Sequence, residues 1–244
     1  ESLDYEFRDT SLRTVILADT SHSIIRPGDA LDITRLDEER NRIASDLNNR
    51  GYFNFTVSNI TYEVDTIGLN NRAKVSMIIS PMLVRYNERG RPEFENHSIY
   101  RINKINIYPT YDPMLRSSFG FKANAVIDTV SYGGLSIIRD LTSSPRLRDE
   151  VLRKVVPMQP NSIYSAREVQ ATYNELMSLG LFRNTKVGFS LAGSGEGLVT
   201  YIGKQQSDAR QFVDIKERYL DCNIYCTPAL KQSMKVEVEA SSTS

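Results

Sequence analysis

The stretch LDEERNRIASDLNNRGYFNF, residues 36–55, decides the fold, because its pattern returns as VQATYNELMSLGLFRNTKVGF at residues 169–189. Each stretch is an amphipathic run that ends on a glycine, passes through an aromatic pair or a Leu-Phe pair, and turns into alternating apolar residues. The repeat widens on both sides. The first copy spans residues 25–64, from IRPGDALDIT to NITYEV, and the second spans residues 156–191, from VPMQPNSIYS to KVGFSL.

Local chemistry explains the order of elements. Thr34-Arg35-Leu36-Asp37 and Ser165-Ala166-Arg167-Glu168 each set a hydroxyl three residues before an acid. A hydroxyl there satisfies an open amide of a helix's first turn, and the acid complements the positive end of the helix. Leu36, Ile43 and Leu47 form the apolar stripe of the first helix, and Val169, Tyr173 and Leu176 that of the second. Gly51 and Gly180 stand where a left-handed residue ends a helix without steric cost.

Residues 53–64 then read as a strand. Phe53, Phe55 and Val57 share one face and Ile60, Tyr62 and Val64 the other, with a bulge at Ser58-Asn59. Val187, Phe189 and Leu191 mark the matching strand of the second copy. Closing strands follow at Val75, Met77 and Ile79, and at Leu220, Cys222, Ile224 and Cys226, in period-two patterns with one buried side. Opening strands at residues 2–8 and 99–108, and short helices near 10–19 and 147–155, complete each copy. The order is strand, helix, helix, strand, strand. The predicted fold class is α+β: two tandem units, each with two helices on one face of a three-stranded mixed sheet.

Between the units, residues 83–98 are charged and carry Pro92, with Pro81 just before them, and read as a linker. The second unit holds insertions at 109–146 and 192–217. Within the first of these, Ala125 to Val130 and Leu135 to Arg139 suggest a hairpin. Within the second, Val199 to Ile202 and Phe212 to Ile215 suggest short strands.

The bulk composition narrows the function. The chain has 244 residues, with 40% hydrophobic and 25% charged, which suits a folded soluble protein. Thirty basic and thirty acidic residues cancel, so no general electrostatic pull toward nucleic acid exists. No apolar run is long enough for a membrane-spanning helix. The chain opens on Glu1 rather than Met, which reads as a stretch excised from a longer protein. Cys222 and Cys226, four apart on a strand, sit roughly 13 Å apart on one face. That exceeds disulfide reach and marks them as small buried hydrophobes.

Signals for catalysis are missing. His22 and His97 belong to no metal-spaced cluster and read as ordinary surface or loop residues. No nucleophile elbow, phosphate loop or dinucleotide fingerprint occurs. Gly193 to Gly197 reads as a flexible turn. Asp37, Glu38 and Glu39 adjoin on a helix and point in different directions, so they make no acid/base pair. Around them the helix face with Arg40 and Arg42 reads as solvated, with Glu38 and Arg42 as an i,i+4 pair. The chain is expected to use no cofactor and not to be an enzyme.

The order of elements, with Gly51-Tyr52-Phe53 and Gly180-Leu181-Phe182 at the helix-to-strand joints, resembles the POTRA domain. The stretches LDEERNRIASDLNNRGYFNF and LDCNIYCTPALKQSMKVEVEASS (220–242) resemble the TamA-like branch of the BamA/TamA superfamily, the TamL or "surface antigen" type. That resemblance implies two POTRA domains, 1–82 and 99–228, and the start of a C-terminal barrel at 229–244. It implies residence at the periplasmic face of the bacterial outer membrane. Partners would be unfolded outer-membrane protein clients and components of an assembly complex, bound by strand addition. A secretion-pore or cell-division POTRA protein is the alternative. The candidate edge strands are Phe53, Asn54, Phe55, Thr56, Val57 and Ser58 in the first unit, and Phe182, Arg183, Asn184, Thr185, Lys186 and Val187 in the second.

Overall fold

A computed structural model of the chain describes residues 2–66, 73–115, 120–143, 147–192 and 217–229. In the first unit, strand β1 (Ser2–Phe7) leads through a short turn to helices α1 (Arg13–Ala18) and α2 (Ile33–Asn49), and then to strands β2 (Ile60–Asp65) and β3 (Lys74–Ile79). β3 lies in the middle, parallel to β1 and antiparallel to β2. Leu12, Ile16, Ile43, Leu47 and Phe55 cover its inner face, where Ile60, Met77 and Ile79 are fully buried.

The start of α2 differs from expectation by two residues. Asp32, not Thr34, is the cap, and its carboxylate accepts from the Thr34 amide at 2.8 Å. The Asp32 carboxylate, two residues ahead, reaches over the first turn to this open amide. The predicted stripe Leu36, Ile43 and Leu47 is buried.

The stretch read as a linker contains a hairpin, β4 (Met82–Tyr86) and β5 (Pro92–Glu95), which forms a two-stranded sheet of its own. Asn87 makes its turn: the side-chain oxygen accepts from the amides of Arg89 and Arg91. This Asx chemistry turns the chain between β4 and β5.

The second unit opens with β6 (Ile99–Tyr108), followed by the hairpin β7 (Ile127–Tyr132) and β8 (Leu135–Asp140). Helices α3 (Asp149–Val155) and α4 (Ala166–Ser178) and strands β9 (Phe182–Leu191) and β10 (Glu217–Pro228) complete it. The strand order is β7-β8-β6-β10-β9. β6 runs parallel to both β8 and β10, while β7 and β9 run antiparallel to their neighbours. The three-stranded sheet expected here is thus widened to five strands by the hairpin anticipated inside 109–146. The suggested strands in 192–217 and the barrel strand after 229 lie outside the described residues.

Leu152 and Leu176 bury against Ile105, Ile107, Leu220, Cys222, Ile224 and Cys226. Both cysteines are free and buried, and burial pushes the Cys226 thiol up to about 12 and that of Cys222 higher still. Thiols so far from ionisation are inert, as expected of core residues. Tyr173 departs from its predicted place in the stripe. It is exposed, and Thr172 takes the buried position beside Leu176.

Candidate functional site

Among the described residues, β9 forms one rim of the second sheet, with β10 on its inner side. Ala192 N–H donates to Tyr219 O at 2.9 Å, and the register runs unbroken from Leu191 opposite Leu220 to Asn184 opposite Thr227. Alternation along an antiparallel ladder then directs the backbone groups of Ser190, Gly188, Lys186 and Asn184 toward β10. Those of Phe189, Val187 and Thr185 point outward. Among the described residues these backbone groups form an open row of donors and acceptors, the geometry that templates another strand. The side chains along it are anchored from within: Phe182 and Thr185 are buried, and Val187 and Phe189 pack on the core.

The six candidates of the first unit are placed differently. Residues 53–58 are not a strand. Phe53 and Asn54 lie in a turn, Val57–Asn59 forms a 3-10 turn, and the strand begins only at Ile60. Asn59 causes this. Its side-chain oxygen accepts from the Thr56 amide at 2.9 Å, closing a box that stops the extended run expected from the alternation. Phe55 is 1% exposed and belongs to the core. Thr56, Val57 and Ser58 are exposed but offer no strand rim. Among the described residues, the rims of this sheet are β1 and β2 instead. The two candidate segments therefore sit on separate sheets and form no joint site.

Phe53 has another task. Its ring meets Tyr100, Tyr164 and Phe189 edge-on, at centroid distances of 5.5, 5.0 and 5.4 Å. It thereby enters the second unit's core, while Ile99 of the second unit packs on the first unit's core. Gly51 makes this approach possible. Its φ is +101°, and an added Cβ would lie 2.7 Å from Ile163 Cγ2 and 2.9 Å from Ile99 Cγ2. Its carbonyl accepts from Tyr100 N–H at 2.9 Å, and Asn54 Nδ2 donates to the Tyr100 hydroxyl at 2.7 Å. The Ser165 hydroxyl does not cap α4. Asn49, from the end of α2, accepts from the Arg167 amide at 2.8 Å and does the work across the joint.

Two buried polar groups escaped the sequence reading. His97 is 5% exposed, not a surface residue. Its Nδ1 and its backbone amide lie 2.6 and 2.8 Å from Asp9 Oδ2. This fastens the entry to β6 onto the β1–α1 turn, 88 residues upstream. Burial alone would raise the Asp9 pKa, but the hydrogen bonds from the His97 ring, the His97 amide and Ser11 outweigh it and hold the carboxyl below its usual range. Glu39 is likewise buried rather than solvated. It accepts two bonds from Arg42 at 2.9 Å and one from the Ile24 amide at 2.9 Å, and Arg42 also pairs with Asp19. The i,i+4 pair expected between Glu38 and Arg42 is thus replaced by an i,i+3 pair with Glu39. Both networks fasten loops: Asp9 ties the entry to β6, and Glu39 ties the segment at Ile24 to α2.

The POTRA family model, described as "Surface antigen variable number repeat", matches residues 4–81. No curated protein matches the chain. Among solved structures, the chain is similar to BamA from Haemophilus ducreyi lacking POTRA domains 1–3, with 10% identity and a TM-score of 0.50 over 94% of this chain. It spans 29% of that BamA chain. POTRA1-2 of the periplasmic domain of Omp85 from Anabaena is 14% identical over 95% of this chain and 96% of its own, with a TM-score of 0.40. Residues 4–81 thus match a POTRA domain, and the chain shares its fold with that BamA structure.

Proposed function

We propose that this chain is the periplasmic POTRA region of an outer-membrane β-barrel protein that assembles or inserts other outer-membrane proteins. It holds client or partner chains by strand addition at β9, and works as a binding scaffold rather than an enzyme. The observation that carries this reading is the outward row of backbone groups at Thr185, Val187 and Phe189 on a strand whose side chains are already locked into the core. A guest strand meets a rim that needs no reordering, so less binding free energy is lost to fixing the host. Main-chain hydrogen bonds supply affinity with little sequence preference, which suits many extended clients. In the first unit β2 offers the corresponding rim. Ser80 N–H donates to Asn59 O there, which turns Tyr62 and Val64 outward by the same alternation.

The test is Val187→Pro. Proline removes one outward amide and leaves the bonds to β10 in place, a position where strands tolerate it. Binding of a ten-residue alternating peptide from a barrel strand, followed by fluorescence anisotropy, should weaken about tenfold, since a lost bond of this kind is worth roughly 1–1.5 kcal/mol. A well-folded Val187→Pro protein that binds the peptide as the parent does would refute the β9 site.

A further inference from the structure

We infer that the β4–β5 hairpin is a docking surface for a partner protein, and that it takes an amphipathic helix whose apolar stripe is bordered by acidic residues. The hairpin stands between the two units as a two-stranded sheet of its own. Cross-strand pairing sets Leu83 opposite Phe94 and Tyr86 opposite Pro92. Residues two apart on β5 share a face, so all four side chains lie together. A bulge between Leu83 and Arg85 makes this possible: without the extra residue, Tyr86 would fall on the other side.

The burial pattern of this ribbon is inverted. Leu83 is 37% exposed, Phe94 57% and Tyr86 65%, while Glu93 and Glu95 on the opposite face are partly buried. Those acids are neutralised in place, Glu93 by Arg85 and Glu95 by Arg218 of β10. The pair with Arg218 ties the ribbon to the second unit, and Asn87 fixes its turn. Single exposed apolar residues need no explanation, but three on one face of a fastened ribbon do. A two-stranded sheet in water is marginal until something packs on it.

Size and charge specify the occupant. Two strands lie roughly 5 Å apart, and the two rows of anchors are roughly 7 Å apart along them. One helix, about 10 Å wide with same-face residues about 6 Å apart, covers such a patch, whereas a sheet would overhang it. Beside Tyr86 the turn leaves Arg89 and Arg91 with no side-chain partner among the described residues, against Glu88 as the one unpaired acid of the hairpin. An open cleft of about 430 Å³, lined by Arg85, Tyr86, Asn87, Glu88, Arg89 and Glu93, gives a carboxylate room beside the Arg89 guanidinium. A second copy docked face to face would bring the same unpaired cations against each other. Carboxylates flanking the apolar stripe of a helix would instead meet them, and tyrosine and arginine are the side chains that carry most binding energy at protein contacts.

The probes are two synthetic amphipathic helices of about 18 residues with the same leucine stripe, one flanked by glutamate and the other by lysine. Titrated against the 244-residue chain and followed by anisotropy, the glutamate helix should bind at least about tenfold more tightly than the lysine helix. Tyr86→Ser with Phe94→Ser changes exposed side chains only, and should weaken binding of the glutamate helix about tenfold or more. Arg89→Glu with Arg91→Glu should remove the preference or reverse it, with circular dichroism unchanged in both variants. Equal binding of the two helices, binding that ignores either variant, or no binding would overturn the inference. So would dimerisation, or flotation with phosphatidylglycerol vesicles, that is lost in Tyr86→Ser with Phe94→Ser, since these results assign the face to a second copy or to a bilayer. Strand addition at β9 uses main-chain groups of another sheet, so a barrel-strand peptide should bind both variants as it binds the parent, and the two readings fail separately.

Discussion

Asp9 and His97 show what a single residue contributes here. A buried carboxylate that receives the His97 ring, the His97 amide and Ser11 has a lower pKa folded than unfolded. Such a group stabilises the fold above its unfolded pKa, about 4, and that contribution fades as pH falls through the folded value. Glu39 and Asp19 are shifted the same way, by Arg42 in particular, and add to the trend. Urea unfolding midpoints should therefore be level near neutrality and drop on acidification below about pH 4. Asp9→Asn should lower the neutral plateau and flatten the acid limb, and an unchanged acid limb would remove Asp9 from the account. None of this was legible in the sequence. His97 carries no local pattern that points to a partner 88 positions away, and Glu39 looks like any acid on a charged helix face. Residues whose role is set by what the chain brings to them from afar leave no periodic trace.

At the scale of elements the legible part is larger, because periodicity and caps act locally. Both principal helices, the closing strands β3 and β10, and the inserted hairpin β7–β8 lie where apolar spacing put them. The misreading at residues 53–59 has a specific cause. Phe53, Phe55 and Val57 alternate as a strand does, yet Phe53 faces the second unit, Phe55 the first core, and Asn59 closes the backbone into a turn. Alternation records which residues are apolar, not which body each one is buried in.

The two helix-ending glycines look alike in sequence and differ in structure. Gly180, at φ +65°, has open space around it, whereas Gly51, at φ +101°, is pressed against Ile99 and Ile163. Gly180→Ala should cost about 1 kcal/mol from backbone strain alone. Gly51→Ala adds overpacking at the joint and should cost about 2–4 kcal/mol. Equal losses in urea denaturation would show that the joint is looser than these contacts imply.

Across the whole molecule, two small sheets are coupled by an exchange of core residues, Phe53 one way and Ile99 the other, with Asn49 capping α4 across the gap. The coupling holds the β2 rim of one unit and the β9 rim of the other in a fixed relation. The inserted hairpin occupies the outer side of β6, so the second sheet presents β9 and β7 as its rims. Of these, β9 has its side chains seated in the core, while β7 shows Ile127, Thr129 and Ser131 to solvent. A guest should accordingly prefer β9.

Amide hydrogen exchange, read residue by residue with and without a saturating barrel-strand peptide, addresses this most directly. The outward amides of Thr185, Val187 and Phe189 should slow markedly when the peptide is present, while Gly188 and Lys186, already bonded to β10, should change little. Protection that appears on β7 or β1 and leaves those three amides untouched, or no protection anywhere, would contradict the account.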